Sequence, residues 1–239
     1  MSARTVGLLL WKDQCLDIGS GTCVSLTGHF LVATAAHNLA NISKIELTPP
    51  HRNTTLPIFR ASHPRPTPAP SDVGWIELSD NVAQASGLSF ISLGDLEFGA
   101  RHDPQRAFFV QGYPAQEIAK LSESRLDLAL LSMGVGLISL DPGPASTELV
   151  LEYPPDSDED TGLELPHPGG MSGGGVWTVP QFDDKLVWTP SSTRLLALVR
   201  SWEKQSRRLS CVPIELWLRL VSEDFPDIGE VVMPRLQPG

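Results

Sequence analysis

Cysteine is scarce in this chain, and its scarcity excludes two common ways of stabilising a small domain. The chain has three cysteines in 239 residues, Cys15, Cys23 and Cys211. This number is odd and too small for a disulfide framework. They form no Cys-x-x-Cys pair and have no paired histidines beside them, which excludes the usual zinc patterns. We therefore expect free thiols in a reducing cytoplasm, with no metal and no cofactor.

Long apolar runs and an excess of basic residues are also missing. No stretch approaches the roughly 20 apolar residues that span a bilayer, and the apolar run at Leu8–Trp11 is too short for a secretory signal. The 18 basic residues are outnumbered by 28 acidic ones, so the formal net charge is −10. Because this field repels phosphate backbones and anionic lipids, we expect neither nucleic acid nor membrane as a partner.

Glycine and proline, by contrast, are plentiful, with 20 and 21 copies. They favour many short elements joined by turns over long helices. The segments between the turns are short and rich in β-branched or aromatic residues, which is typical of strands. These segments are Gly21–Leu26, His29–Thr34, Val73–Leu78, Ala107–Tyr113, Glu148–Tyr153, Gly175–Val179 and Leu195–Trp202. The pattern predicts an all-β protein.

One helix is predicted, over residues 213–222. Pro213 suits a first helical turn, and the following apolar residues at helical spacing share one face: Ile214, Trp217, Leu218 and Val221. The tail from Glu223 to Gly239 reads as irregular. Two segments predict surface loops, Arg60–Ser71 with its four prolines and Tyr153–Gly162 with its run of acids.

Ser172 lies among glycines, in Gly-Gly-Met-Ser-Gly-Gly-Gly over residues 169–175. Glycine exposes backbone N–H groups without a Cβ in the way, and a nucleophilic serine needs such groups to stabilise an oxyanion. The N–H groups of Gly170 and Ser172 are the natural pair. No Lys-Ser or Lys-Thr follows, which excludes a P-loop. The motif also matches the α/β-hydrolase elbow, although that fold needs alternating strands and helices and a histidine after the serine.

Two further residues are weak evidence for a catalytic site when taken singly and stronger evidence when taken together with Ser172. His37 follows a β-branched run and two alanines, small enough for a strand end to turn and present an imidazole. Asp72 stands at the start of an apolar strand, where acids are common turn residues. With Ser172 they occur in the order His, Asp, Ser, which differs from the order in α/β-hydrolases and in subtilisins.

These three motifs resemble those of the trypsin-like (chymotrypsin-fold) serine peptidases. Thr34-Ala-Ala-His37 is the family's histidine motif unchanged, Asp72-Val-Gly-Trp-Ile76 is similar to its aspartate strand, and Gly170-Met-Ser-Gly-Gly174 is similar to its Gly-Asp-Ser-Gly-Gly motif. Val110–Pro114 resembles a second-barrel strand of bacterial members, and Leu195–Trp202 resembles the substrate-binding strand. The resemblance is closest to stand-alone cytosolic peptidases of bacteria.

The resemblance implies a fold of two six-stranded antiparallel β-barrels with the active site between them and a short C-terminal helix. It divides one peptidase domain, residues 1–239, into an N-terminal barrel over 1–95, a C-terminal barrel over 105–205 and the helix over 213–222.

The resemblance also implies a serine endopeptidase that hydrolyses protein or peptide substrates through an acyl-enzyme. Ser172 is the implied nucleophile, His37 the general base and Asp72 its partner, with Gly170 and Ser172 forming the oxyanion hole. Some related bacterial peptidases cleave a neighbouring effector in antiphage defence, so that role is an expectation here. Two alternatives stay open, a pseudoprotease that binds a peptide or partner without cutting it, and an esterase on the same fold.

Met171 departs from the family pattern. Many members carry an aspartate there, which pairs with a freshly cut N-terminal amine to order the oxyanion hole. A thioether forms no ion pair, so we expect an enzyme that is active without cleavage or is gated by a regulatory protein partner. Asn38 also stands where a cysteine of the family disulfide often does.

The residues implied for substrate binding are Pro166, His167, Ser201 and Trp202. By offset from Ser172, the first two fall at the base of the primary pocket, and neither is the buried acid that selects lysine or arginine. Two preferences stay open: basic substrates drawn to the acidic loop at 156–160, or acidic ones bound by His167.

Overall fold

The computed structural model describes residues 4–12, 15–49, 56–57, 65–66, 71–98, 107–122, 125–140, 148–154, 165–179 and 192–236. Strands dominate these ranges, and they form two large sheets that follow each other along the chain and one small two-stranded sheet. Most of the proline-rich loop and of the acidic loop, including Asp156–Asp160, lies outside the described residues.

The first half of the chain forms a seven-stranded antiparallel sheet in the order β5-β4-β1-β2-β3-β7-β6. One set of its apolar side chains, among them Leu8, Val32 and Ile76, forms a core of its own. Two of its strands have only two residues each. The bounds are β1 Thr5–Lys12, β2 Cys15–Leu26, β3 His29–Ala35, β4 Lys44–Thr48, β5 Leu56–Pro57, β6 Arg65–Pro66 and β7 Val73–Leu78.

The second half forms a closed six-stranded barrel in the order β11-β12-β15-β14-β13-β8, with a separate two-stranded sheet of β9 and β10. Val110, Leu151 and Val176 belong to its core. The bounds are β8 Ala107–Gly112, β9 Ile118–Ser122, β10 Arg125–Leu128, β11 Leu131–Leu140, β12 Leu149–Glu152, β13 Gly175–Val179, β14 Arg194–Glu203 and β15 Arg208–Pro213.

Three α-helices complete the described structure: α1 Asp80–Ser86, α2 Ile214–Asp224 and α3 Pro226–Val232. The predicted helix is α2, and it buries the four apolar residues that share a face. Trp217 also donates its indole N–H to the Gly74 carbonyl of β7 at 3.2 Å, which ties α2 to the first sheet. Within the described ranges, no helix is long and apolar enough to cross a membrane.

The prediction of an irregular tail after residue 223 is wrong over α3. Pro226 occupies the first turn, where its missing N–H has no partner to lose. Ile228 and Val232, four residues apart, are both buried in the same apolar cluster as Trp217. Helix α3 is stabilised mainly by the packing of these two side chains. Two apolar positions are too few to predict a helix from periodicity.

A shared core joins the two halves and fixes where the site lies. Val24, Leu31 and Trp75 of the first sheet pack in one cluster with Leu195 and Leu198 of the barrel and with the C-terminal helices. The expected all-β architecture with a closed six-stranded barrel in its second half and a C-terminal helix is confirmed, whereas the first half has seven strands in its sheet, not the expected six. The three cysteines are free; Cys15 is exposed, and burial raises the pKa of the other two thiols.

Candidate functional site

His37 and Asp72 form a hydrogen-bonded pair where two neighbouring strands meet. The end of β3 pairs with the start of β7, with Ala35 opposite Val73, so the residues just beyond these ends lie together. The Nδ1 atom of His37 lies 2.8 Å from Asp72 Oδ2, and the His37 backbone N–H donates to Asp72 Oδ1 at 2.9 Å. A carboxylate on Nδ1 leaves Nε2 of the neutral ring as a proton acceptor.

Asp72 is held rigidly by the turn that carries His37. Its φ of +47° is a left-handed conformation, which aspartate tolerates better than most residues. Its backbone carbonyl accepts from the Ala36 N–H at 3.0 Å, which locks the turn. Burial raises the pKa of the Asp72 carboxyl, but the hydrogen bonds and charge of His37 outweigh it, and the pKa is lowered overall. Asp72 is therefore ionised at neutral pH.

Ser172 lies in the loop that leads into β13 of the barrel. Gly170 and Gly173 on either side of it have φ values of +94° and +88°. A Cβ on Gly170 would lie 2.6 Å from the Tyr113 carbonyl oxygen, and one on Gly173 would collide with the Ser20 carbonyl. Glycine is required at both positions for its conformation and for its size.

The hydrogen bonds of this loop are distributed unequally between its carbonyl and N–H groups. Every backbone carbonyl from Pro168 to Gly174 accepts a hydrogen bond, from the N–H groups of Met171, Ala115, Gly174, Ser20 and Val199 and from the side chains of Ser20, Thr22 and Asn38. The N–H groups of Gly170 and Ser172, however, donate to no described residue. The loop thus presents two unused donors beside the serine hydroxyl.

The backbone of Ser172 is anchored to the first sheet, next to His37. Its carbonyl accepts from the Ser20 N–H at 3.0 Å and from the Asn38 side-chain amide at 2.9 Å. Asn38 is buried and also donates to Thr34 Oγ1 at 3.0 Å. The structure therefore brings His37 and Asp72 into direct contact and places Ser172 beside them through Asn38.

The Ser172 hydroxyl and His37 Nε2 make no hydrogen bond with each other or with another described residue. The His37 side chain is 48% exposed and that of Asp72 28%, so the imidazole faces solvent between the two halves. A contact between a serine hydroxyl and a histidine base is often long in enzymes without substrate and shortens when substrate binds.

Met171, the residue that departs from the family motif, lies fully buried in the barrel core. Its backbone packs closely on Gly112, since a Cβ there would lie 3.1 Å from Met171 Cα. Burying a side chain of this size stabilises the folded chain by about 1.5–3 kcal/mol. The loop is thus anchored by apolar packing at the residue before Ser172.

Three of the four residues expected to bind substrate lie together. The His167 ring stands edge-on to the Trp202 ring with centroids 4.4 Å apart, and the Tyr153 hydroxyl donates to the Pro166 carbonyl at 2.5 Å. Ser201 precedes Trp202 on β14, is exposed and pairs with β15. The Gly169 N–H donates to His167 Nδ1 at 3.0 Å, so the neutral ring carries its proton on Nε2.

Sequence reasoning missed the polar residues of the first sheet that hold the loop, above all Ser20 and Thr22. Both are fully buried on β2. The available signal is Gly19-Ser-Gly-Thr22, where small residues interrupt a strand. A Cβ on Gly19 would lie 2.7 Å from the Asn38 amide nitrogen, so this strand passes unusually close to the turn after His37.

No family model and no curated protein matches the chain, whereas many solved structures do. The thermostable serine protease AL20 from an extremophilic microorganism aligns with a TM-score of 0.54 and 14% identity, over 89% of this chain and 91% of that one. The serine endoprotease from Yersinia pestis aligns with a TM-score of 0.59 and 12% identity, over 93% of this chain and 62% of that one.

Protease Anisep from Arthrobacter nicotinovorans gives a TM-score of 0.53 and 17% identity, over 88% of this chain and 90% of that one. The TM-scores support a common fold, and at identities this low the likeness says nothing about the chemistry. The chain therefore has the chymotrypsin fold of the trypsin-like serine proteases.

Proposed function

We propose that this chain is a serine endopeptidase acting on protein or peptide substrates, with His37, Asp72 and Ser172 as its catalytic residues. The observation that carries the proposal is the pair of unused N–H groups at Gly170 and Ser172, in a loop whose carbonyls are all paired. Such donors stabilise negative charge that develops on a carbonyl oxygen during acyl transfer.

The reaction proceeds in two halves. Ser172 Oγ adds to the scissile carbonyl carbon while His37 Nε2 takes the hydroxyl proton, and the resulting oxyanion binds the two N–H groups. His37 then gives this proton to the leaving amine, which leaves an acyl-enzyme on Ser172. A water molecule then adds to the acyl carbonyl carbon while His37 takes its proton, and His37 gives that proton to Ser172 Oγ as the bond to the acid product breaks. Asp72 holds the Nδ1–H and stabilises the imidazolium in each half.

The primary substrate pocket is proposed to involve Pro166, His167, Ser201 and Trp202. Because His167 Nδ1 accepts from the backbone, the donor that the ring offers to a substrate is Nε2–H. This favours a substrate side chain that carries a hydrogen-bond acceptor. The competing preference for basic side chains depends on Asp156–Asp160, which lie outside the described residues.

The hydrogen-bonded His37–Asp72 pair favours an enzyme over a pseudoprotease, because a binding module has no use for an oriented imidazole. The free thiols suit the cytoplasmic location we propose. Gating by a regulatory partner and a role in antiphage defence rest on the family resemblance.

A fluorophosphonate probe tests the proposal directly. We expect wild-type protein to be labelled at Ser172, Ser172→Ala to be unlabelled, and His37→Ala to be labelled much more slowly. Labelling that persists in Ser172→Ala would refute the assignment of the nucleophile. A peptide library and a set of activated esters, each digested with wild type and Ser172→Ala, then separate an endopeptidase from an esterase.

A further inference from the structure

We infer that Ser20 is a positioning residue for the oxyanion hole, a role that rests on the function proposed above. Ser20 belongs to β2 of the first sheet, whereas the loop it contacts belongs to the barrel. Its hydroxyl donates to the Gly170 carbonyl at 2.8 Å and accepts from the Tyr113 N–H at 2.8 Å. Its own backbone N–H donates to the Ser172 carbonyl at 3.0 Å.

One residue thus contacts both of the residues whose N–H groups are unused. The Ser20 hydroxyl fixes the peptide after Gly170, and the Ser20 N–H fixes the peptide after Ser172. The peptide before Gly170 is fixed in the same region, because the Gly169 carbonyl accepts from the Ala115 N–H at 2.7 Å. A trans peptide directs its N–H opposite to its carbonyl, so this bond also sets the direction of the Gly170 N–H.

External bonds have to set this conformation because glycine has little preference of its own. Gly170 at φ +94° has access to both positive and negative φ when its neighbours allow it. If the Gly170 carbonyl loses its donor, the Gly170–Met171 peptide gains freedom to rotate, and the two peptides that carry the N–H groups of Gly170 and Ser172 no longer have a fixed orientation relative to each other. The Ser20 hydroxyl prevents that rotation, and it also holds the Tyr113–Ala115 segment that pairs with Gly169.

The site around the Ser20 hydroxyl has little space for another group that could take over its hydrogen bonds. Ser20 is fully buried, and a Cβ on Gly112 would lie 3.1 Å from its Oγ. Ser20→Ala therefore leaves the Gly170 carbonyl and the Tyr113 N–H without a partner in a closely packed site.

The test compares Ser20→Ala and Ser20→Gly with Ser86→Ala. Ser86 is a matched control because it is equally buried, donates to the Ala83 carbonyl at 2.6 Å and accepts from the Leu88 N–H at 3.0 Å, but is the last residue of α1, away from the site. For each variant, thermal unfolding gives the folded fraction. The rate constant for fluorophosphonate labelling of Ser172 is then expressed per folded molecule.

We expect labelling of both Ser20 variants to slow by about 10- to 100-fold, less than the about 10²- to 10³-fold loss when an oxyanion donor is deleted outright. Ser86→Ala should label at the wild-type rate. In a Ser172→Ala background, Ser20→Ala should leave the Kd of a substrate peptide unchanged, because ground-state binding does not use the hole.

Wild-type labelling rates per folded molecule in both Ser20 variants would overturn the inference and leave the proposed function intact. Wild-type protein that is never labelled at Ser172 would instead contradict the proposed function itself. If Ser20→Ala and Ser20→Gly fail to fold, Ser20→Cys keeps a weaker donor in the same place. Its rate should then lie below that of wild type, and a rate equal to wild type counts against the inference.

Discussion

The side-chain amide of Asn38 donates to the backbone carbonyl of Ser172 at 2.9 Å, across the boundary between the two halves of the molecule. Asn38 directly follows His37 in the 3-10 turn Ala36–Leu39. The same amide also donates to Thr34 Oγ1, so its position is fixed from the side of the first sheet. The distance between base and nucleophile is thus controlled by a hydrogen bond from the residue next to the base.

Removing this bond should lower both the stability of the protein and its catalytic rate. In Asn38→Ala the Ser172 carbonyl keeps the Ser20 N–H but loses the amide, and the buried site loses about 1–3 kcal/mol of unfolding free energy. We expect kcat to fall as well, because the nucleophile loop is no longer tied to the turn that carries His37. Urea denaturation and substrate turnover measure the two effects.

The exposed Asn81 of α1 supplies the control for that experiment. Asn81→Ala should be neutral or slightly stabilising, because alanine is the better helix former. Asn38→Ala with wild-type kcat and a normal urea midpoint would show that the amide holds nothing in place.

A second prediction concerns the two glycines that share a left-handed conformation but differ in their surroundings. A Cβ on Gly173 would collide with the Ser20 carbonyl, whereas one on Gly28, at φ +97°, would meet nothing within 4 Å. Gly28→Ala should lose about 1–2 kcal/mol from strain alone and keep its activity. Gly173→Ala should lose activity altogether, because the loop has to move away from the first sheet.

Thermal unfolding and fluorophosphonate labelling compare the stability and the activity of the two variants directly. Equal labelling of Gly173→Ala and Gly28→Ala would mean that close contact with β2 is not needed to hold Ser172.

Local sequence patterns predict several of the strands correctly, for physical reasons. β7 and β13 have the predicted bounds, since each is an apolar, β-rich run between turn signals. β1 was not predicted, because a run buried along most of its length has no alternation to distinguish it from other apolar segments. The roles of Ser20 and Asn38 depend on contacts between residues 134 and 150 positions apart, which a single sequence does not reveal.

A third prediction follows from the buried position of Met171. Met171→Leu keeps the apolar volume and should lose less than about 1.5 kcal/mol, with activity retained. Met171→Asp introduces a carboxylate into a core of apolar side chains. An unpaired buried carboxylate destabilises strongly, so this variant should unfold at much lower urea and show little labelling.

The Leu variant is the matched control for the Asp variant. A stable, active Met171→Asp protein would mean that a cation reaches this site, and that the loop can be ordered by an ion pair after all.

The last prediction uses the lowered pKa of Asp72. Burial raises the pKa of the Asp72 carboxyl, but the hydrogen bonds and the charge of His37 lower it by more. The pKa of the folded protein is therefore below that of the unfolded chain. Between the folded and the unfolded pKa the unfolded chain binds more protons, so stability rises with pH in that window. The contribution is fully present above the ordinary aspartate pKa of about 3.9 and is lost as the pH falls through the lower folded value.

In Asp72→Asn this dependence is absent, because no carboxylate titrates. The urea midpoints of wild type and Asp72→Asn, measured from neutral pH down to about pH 3, should therefore converge as the pH falls below about 4. A difference that stays constant over this range would show that the Asp72–His37 bonds contribute nothing that depends on ionisation of the carboxylate.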